Sequence, residues 1–162
     1  MAELFASGMA WVGSGVRSVE TGLCSIFSDA RRRVVACCYS VSEEFDLAPG
    51  WIADAVRRDV RVVMVVNRVA RQDRAAMARL DAVAAASDLF EFWDYDGPPL
   101  HDLHAKVFVR DECYALIGSS NLSRNGLLRN HELAVAVEGD AARRAADLVV
   151  GLTRSTSASR RC

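Results

Sequence analysis

His104 and Lys106 stand two residues apart in an apolar stretch, and Lys106 is the only lysine in a chain that carries nineteen arginines. In an extended strand, residues i and i+2 point the same way. The stretch HAKVFVRD therefore sets His104, Lys106 and Phe108 on one face, with Ala105, Val107 and Val109 on the other. The next segment, CYALIGSS, reads as a return strand. If Asp111 and Glu112 form a two-residue turn, Arg110 pairs with Cys113 and Ser119 faces His104. Gly118, Ser119 and Asn121 then return beside the imidazole. An imidazole, an ammonium, a hydroxyl and a carboxamide, with a glycine admitting close backbone approach, suit a tetrahedral oxyanion. Asp111 lies seven residues from His104, roughly 20 Å at about 3.3 Å per residue, so its expected work is to accept hydrogen bonds in the turn. A polarising partner for His104 must come from elsewhere, and Glu132 at the start of the next strand is the candidate.

These residues need a frame to hold them. Val12, Val16, Val19, Leu23, Ile26 and Phe27 recur at helical spacing up to DARRR. Residues 34–40 read as a buried strand, Pro49-Gly50 as a break before a helix over about 51–58, and 61–67 as a strand covered on both faces. An alanine-rich helix follows over 69–86, then a strand at 89–95 and the break DGPP. After the hairpin, ELAVAV forms a further strand and Asp140 caps a last helix that ends near Leu152. Helix and strand alternate early and strands cluster late. The expected fold is an α/β sandwich with a mixed sheet and helices on both faces, one domain over residues 1–152, and a disordered tail over 153–162.

The pattern His104-x-Lys106-x(4)-Asp111-x(6)-Gly118-Ser119-x-Asn121, followed by Asn130-x-Glu132, resembles the signature of the phospholipase D superfamily. The order of elements upstream is similar to that of its small single-domain nucleases. The resemblance implies that a histidine attacks phosphorus to give a phosphohistidine, a second motif's histidine protonates the leaving oxygen, and water resolves the intermediate without a metal. It assigns His104 as nucleophile in one subunit and general acid in the other. Lys106 and Asn121 would bind the nonbridging oxygens, Ser119 would hydrogen-bond in the same pocket, and Glu132 would orient a histidine ring. A compact ammonium enters between histidine and phosphate where a wide guanidinium fork would crowd them, although coding bias towards arginine also thins out lysine. Two-motif members build a site within one chain. This chain has one motif, which implies a homodimer with a shared site.

Gly118 belongs to the substrate pocket on this reading. Arg124 and Arg129, close behind GSSN, would contact flanking phosphates. His101 and His104 have H-x-x-H spacing, but in a strand they point apart, so no metal site and no cofactor is expected. His131 should face away from Glu132, with a substrate contact as the alternative. Cys37 and Cys38 point oppositely from one buried strand and read as core. Arg31, Arg32 and Arg33 suit a helix C-terminus, with phosphate contact as the alternative. Trp93 and Tyr95 read as core or dimer packing, with base stacking as the alternative.

The net charge of −1 means that a polyanion must be held by a local patch. Five cysteines without C-x-x-C spacing fit a reducing cytoplasm, and no apolar run reaches the roughly 18 to 20 residues of a membrane span. The expected activity is that of a metal-independent nuclease on DNA or RNA. The alternatives are a lipid phosphodiesterase or phosphatidyl transferase, which would need a membrane-docking surface, and a nucleic-acid-binding subunit of a larger defence or repair complex.

Overall fold

The computed structural model describes residues 2–42 and 47–161. Eight strands among these residues form one sheet: β1 (Glu3–Ser7), β2 (Arg33–Cys38), β3 (Arg61–Asn67), β4 (Phe90–Tyr95), β5 (Lys106–Arg110), β6 (Tyr114–Gly118), β7 (Glu132–Glu138) and β8 (Ala158–Arg161). Their order across the sheet is β1-β7-β6-β5-β2-β3-β4-β8. The pairs β2/β3 and β3/β4 are parallel and the rest antiparallel, so the sheet is mixed, as expected.

The helices are α1 (Val19–Ser28), α2 (Leu47–Arg57), α3 (Arg74–Ala86) and α4 (Asp140–Leu152). Alternation along the strands builds two cores. Val34, Ala36, Cys38, Met64, Phe92, Phe108 and Leu116 face α1, α2 and α3, meeting Leu23, Ile26, Ile52 and Leu80. Val35, Cys37, Val65, Val109 and Ala115 face α4, meeting Ala142, Ala145, Ala146 and Val149. Helices therefore cover both faces. Cys37 and Cys38 enter opposite cores, and burial pushes the Cys37 thiol up to about 12, which keeps it protonated and inert.

Besides α3, which begins at Arg74 rather than at residue 69, four boundaries differ from the sequence reading. The first helix begins at Val19 rather than near Val12. Gly8, Gly13 and Gly15 hold positive φ angles of 109°, 83° and 78°, which breaks the apparent helical period, and Ser18 caps α1 by accepting from the Thr21 N–H at 3.1 Å. α2 starts at Leu47, so Pro49 occupies the first turn, where its missing N–H costs little. Asp140 is the first residue of α4, behind Gly139 at the cap, and its carboxylate pairs instead with Arg143 and Arg144 at 2.9 and 2.8 Å.

The tail is the fourth case. Residues 158–161, expected to be disordered, form β8 antiparallel to β4, with Tyr95 opposite Ala158 and Phe92 opposite Arg161. Two 2.7 Å bonds from the Arg161 guanidinium to Asp81 fasten this strand to α3, a contact that composition gives no hint of. Cys162 lies outside the described residues.

Because β5 runs against β2, and β6 against β5, one end of the sheet collects the carboxyl ends of β2, β3 and β6 with the amino ends of β5 and β7. Lys106 pairs with Gly118 there, and Gly118 with Ala134. The outer carboxyl edge of parallel strands is where open α/β sheets bind ligands.

Candidate active site

The hairpin differs by one residue from the expected register. Arg110 pairs with Tyr114 rather than Cys113, across a three-residue turn in which Asp111 and Glu112 have φ angles of 50° and 58°. Continued past Lys106, this register puts Ser120, not Ser119, across from His104. The cause is Asp111. Its carboxylate accepts from the backbone N–H groups of Arg31, Arg32 and Arg33 at 2.9, 2.8 and 2.9 Å, and its own N–H donates to the Arg33 carbonyl at 2.8 Å. The turn is thus tied to the start of β2, besides being closed by the Cys113 N–H donating to the Arg110 carbonyl at 3.1 Å. Burial of the Asp111 carboxyl works to raise its pKa, but the three backbone donors outweigh that and hold it below the usual carboxylate range. Its hydrogen bonds go to the loop before β2 rather than into its own turn. Arg31, Arg32 and Arg33 accordingly sit at the end of β5 remote from His104.

Lys106 is 5% exposed and borders a small cavity that Val19, Leu23, Phe108 and Leu116 also line. Its Nζ donates to the His104 carbonyl at 2.7 Å and stands 3.1 and 3.2 Å from the His104 ring nitrogens. Imidazole and ammonium are brought together as their spacing implied. Burial pulls the Lys106 pKa below the ordinary lysine value, while the nearby Glu132 charge is among the influences opposing it. His104 itself lies exposed in the loop just before β5.

Glu132 is 8% exposed at the head of β7. Its two oxygens are engaged by the Ser119 hydroxyl and, at 3.1 Å, by the Asn130 amide. The Leu133 N–H donates to Ser119 Oγ at 3.2 Å, and the Ser119 N–H to the Leu133 carbonyl at 3.0 Å, so Ser119 is locked to β7. Within the chain Glu132 therefore orients Ser119 and Asn130, not the His104 ring.

Asn121 accepts from the Ser40 N–H at 3.1 Å through Oδ1, which leaves its NH2 group as the donor available to a ligand. Gly118 is required by packing: a Cβ there would stand 2.4 Å from the Leu133 carbonyl oxygen and 2.6 Å from the Ala134 Cβ. After Asn121 the chain enters a single wide π turn over Asn125–Arg129, a rare form that occurs often at functional sites. Arg124 precedes this turn and Arg129 ends it, both exposed.

The remaining candidates fall elsewhere. His131 is held by the N-terminal segment, its Nε2 accepting from the Ala10 N–H at 3.2 Å and its ring meeting Trp11 edge-on at 5.3 Å. His101 lies in the loop before β5, not in a strand, and Asp102 beside it binds the Arg68 guanidinium at 2.7 Å. Among the described residues no three His, Cys, Asp or Glu side chains group to hold a metal ion. Trp93 and Tyr95 pack against the core beneath α4.

One close neighbour of the pair had no motif to announce it. The Tyr39 ring lies 4.8 Å from the His104 ring and 5.4 Å from Lys106 Nζ. The only hint in the sequence is an aromatic residue just past the carboxyl end of a buried strand.

The chain matches the family model described as "Cardiolipin synthase, PLD-like domain" over residues 23–149. It belongs to the phospholipase D superfamily. Nuc from Salmonella typhimurium, a phospholipase D family member, superposes with a TM-score of 0.77 at 19% identity, covering 99% of this chain and 97% of that one. NucT from Helicobacter pylori gives 0.78 at 18% identity, covering 96% of both chains. A curated relative, the DISARM protein DrmC of Bacillus paralicheniformis, is 30% identical over 112 residues. That alignment covers 68% of this chain and 46% of DrmC, so the chain spans about half the length of this relative.

Proposed function

We infer that the protein is a metal-independent nuclease, hydrolysing phosphodiester bonds of DNA or RNA in a site shared by two copies of the chain. The observation that carries this reading is the buried Lys106 ammonium held 3.1 to 3.2 Å from the ring nitrogens of His104 in a phospholipase D-like chain. An attacking imidazole nitrogen forms an N–P bond as the P–O bond to the leaving strand breaks. The second copy's imidazolium gives its proton to that oxygen, then as imidazole takes a proton from the water that cleaves the N–P bond. Lys106 Nζ and the Asn121 NH2 group hold the nonbridging oxygens, and their bonds strengthen as charge gathers in the transition state. Ser119 and Glu132 form the polar wall beside them. Gly118 brings β6 close to β7 and so sets where Ser119 stands, while Arg124 and Arg129 reach flanking phosphates.

The motif occurs once in this sequence, and a second copy of the chain supplies the second imidazole. Among the described residues no helix is long and apolar enough to cross a membrane. The test is incubation of purified protein with plasmid, linear duplex, single-stranded DNA and RNA in excess chelator, beside His104→Asn. Cleavage by wild type alone is expected; equal cleavage by both proteins, or none by either, rejects the reading.

The similarity to DrmC, a DISARM protein, favours a second reading, in which the same site serves inside a larger assembly. DNA binding without turnover in the isolated chain, with turnover regained beside partner subunits, distinguishes it from the first.

A further inference from the structure

The ring of His104 has to be held in one orientation for in-line attack, and within the chain Glu132 is occupied by Ser119 and Asn130. Among the described residues the side chain that meets the imidazole, besides Lys106, is Tyr39: the two ring centroids are 4.8 Å apart, with the planes inclined at 56°. The same aromatic ring lies 5.4 Å from Lys106 Nζ, within the range of a cation–π contact.

Tyr39 is itself fixed by a frame that also fixes His104. The Tyr39 carbonyl accepts from the Gln72 amide at 3.0 Å, the Ser40 N–H donates to Asn121 at 3.1 Å, and the Val41 N–H donates to the other end of Gln72 at 3.1 Å. The Gln72 amide also donates to the Asn67 carbonyl at 2.6 Å. Asn67, buried at the end of β3, accepts through its side chain from the Leu103 N–H at 2.8 Å, one residue before His104. The backbones on both sides of the ring contact are thereby tied to the segment from Asn67 to Gln72, and the separation between Tyr39 and His104 is set from both ends.

We propose that Tyr39 is a positioning residue for His104: its ring confines the imidazole beside Lys106 in the orientation from which a ring nitrogen attacks phosphorus. This deepens the phosphodiesterase reading and rests on it. The aromatic ring, not the hydroxyl, makes the contact. Removing it frees an exposed imidazole to leave the attacking rotamer, which acts on the chemical step and leaves ground-state binding of the phosphate to Lys106 and Asn121.

The experiment compares Tyr39→Leu, Tyr39→Met and Tyr39→Phe in steady-state cleavage and in NMR of the His104 ring protons, assigned by their absence in His104→Asn. Tyr39→Leu is expected to lower kcat on the order of 10²-fold, the cost of a misplaced reacting group, with KM within about threefold. Tyr39→Phe should stay near wild type. The His104 ring protons should lose the upfield shift that a neighbouring aromatic ring imposes in Tyr39→Leu and keep it in Tyr39→Phe. Tyr39→Met gives the same comparison if the leucine variant does not fold. An unchanged kcat, or a rise in KM alone, overturns the proposal, the latter marking Tyr39 as a substrate contact. If wild type has no turnover, the nuclease reading has failed. The NMR comparison then decides this one: a shift lost with leucine and kept with phenylalanine upholds the contact, and an unchanged shift overturns it.

Discussion

The Ser119 hydroxyl donates to the Glu132 carboxylate across the β6–β7 pair, and the Leu133 N–H in turn donates to Ser119 Oγ at 3.2 Å. With Asn130 on the other carboxylate oxygen, the wall beside Lys106 is one connected unit. Members of such a unit do not act independently. Ser119→Ala and Glu132→Gln should each slow turnover, and the double variant should be little slower than the slower single one, with a coupling of about 1 kcal/mol or more. A double-mutant cycle on kcat/KM measures this, and additive effects would show that the two side chains work separately.

Lys106 should not tolerate arginine. The residue is 5% exposed, and its head already lies within hydrogen-bond distance of three atoms of His104. A wider guanidinium fork crowds the head position beside His104 and displaces the imidazole from Lys106's side of the phosphate. Lys106→Arg is expected to keep the fold by circular dichroism while losing turnover by about 10²-fold or more, comparable to losing one oxyanion donor. The burial that lowers the Lys106 pKa adds a pH consequence. The working form is the ammonium, so activity should fall as pH rises through that lowered pKa, on an alkaline limb below the ordinary lysine value of about 10.4. A limb at or above that value would mean that Lys106 is not the group titrating.

What the sequence made legible were the relationships set by local periodicity. The i, i+2 rule placed His104 beside Lys106, and continuous apolar runs gave β2 and β3 covered on both faces. What escaped it depends on contacts between distant segments. The hairpin register turned on Asp111 reaching the N–H groups of residues 31–33, which no turn rule contains. The last strand depended on Arg161 finding Asp81, and Tyr39 meets His104 only because Gln72 and Asn67 tie two loops together. Glycine spacing did carry a signal at residues 8, 13 and 15 that the helical period of valines obscured.

Asp111 should matter for folding and not for chemistry. Its carboxylate satisfies three backbone donors at the junction of α1 and β2, a role like that of a helix cap. Asp111→Asn keeps a residue that tolerates the positive φ of 50° but removes the charge, and should cost about 1–2 kcal/mol at pH 7 with kcat unchanged. The folded pKa is depressed, so the stabilisation is complete above the unfolded value of about 3.9 and is lost as pH falls through the folded pKa. Urea titrations of both proteins at pH 7 and below pH 4 should show a gap that closes in acid. A gap that is constant with pH would mean that the charge contributes nothing.

The shared site makes a prediction about numbers of chains. If one site needs two imidazoles, one from each copy, then only dimers of two wild-type chains turn over, and a single His104→Asn chain silences its partner. Unfold and refold wild type together with increasing His104→Asn at constant wild-type concentration. The activity per wild-type chain should then follow the fraction of wild type in the mixture, falling to about a tenth at a tenfold excess of the variant. A site complete within each chain gives a flat line instead, because every wild-type chain keeps its own machinery whatever it pairs with. The variant changes one side chain that is exposed in the single chain and leaves Lys106, Asn121 and the Ser119–Glu132 unit in place, so mixed dimers should assemble as readily as pure ones. Native mass spectrometry of the refolded mixture verifies that random pairing occurred. With pairing verified, a flat line excludes a shared site, and a decline matching the wild-type fraction requires two histidines, one from each chain.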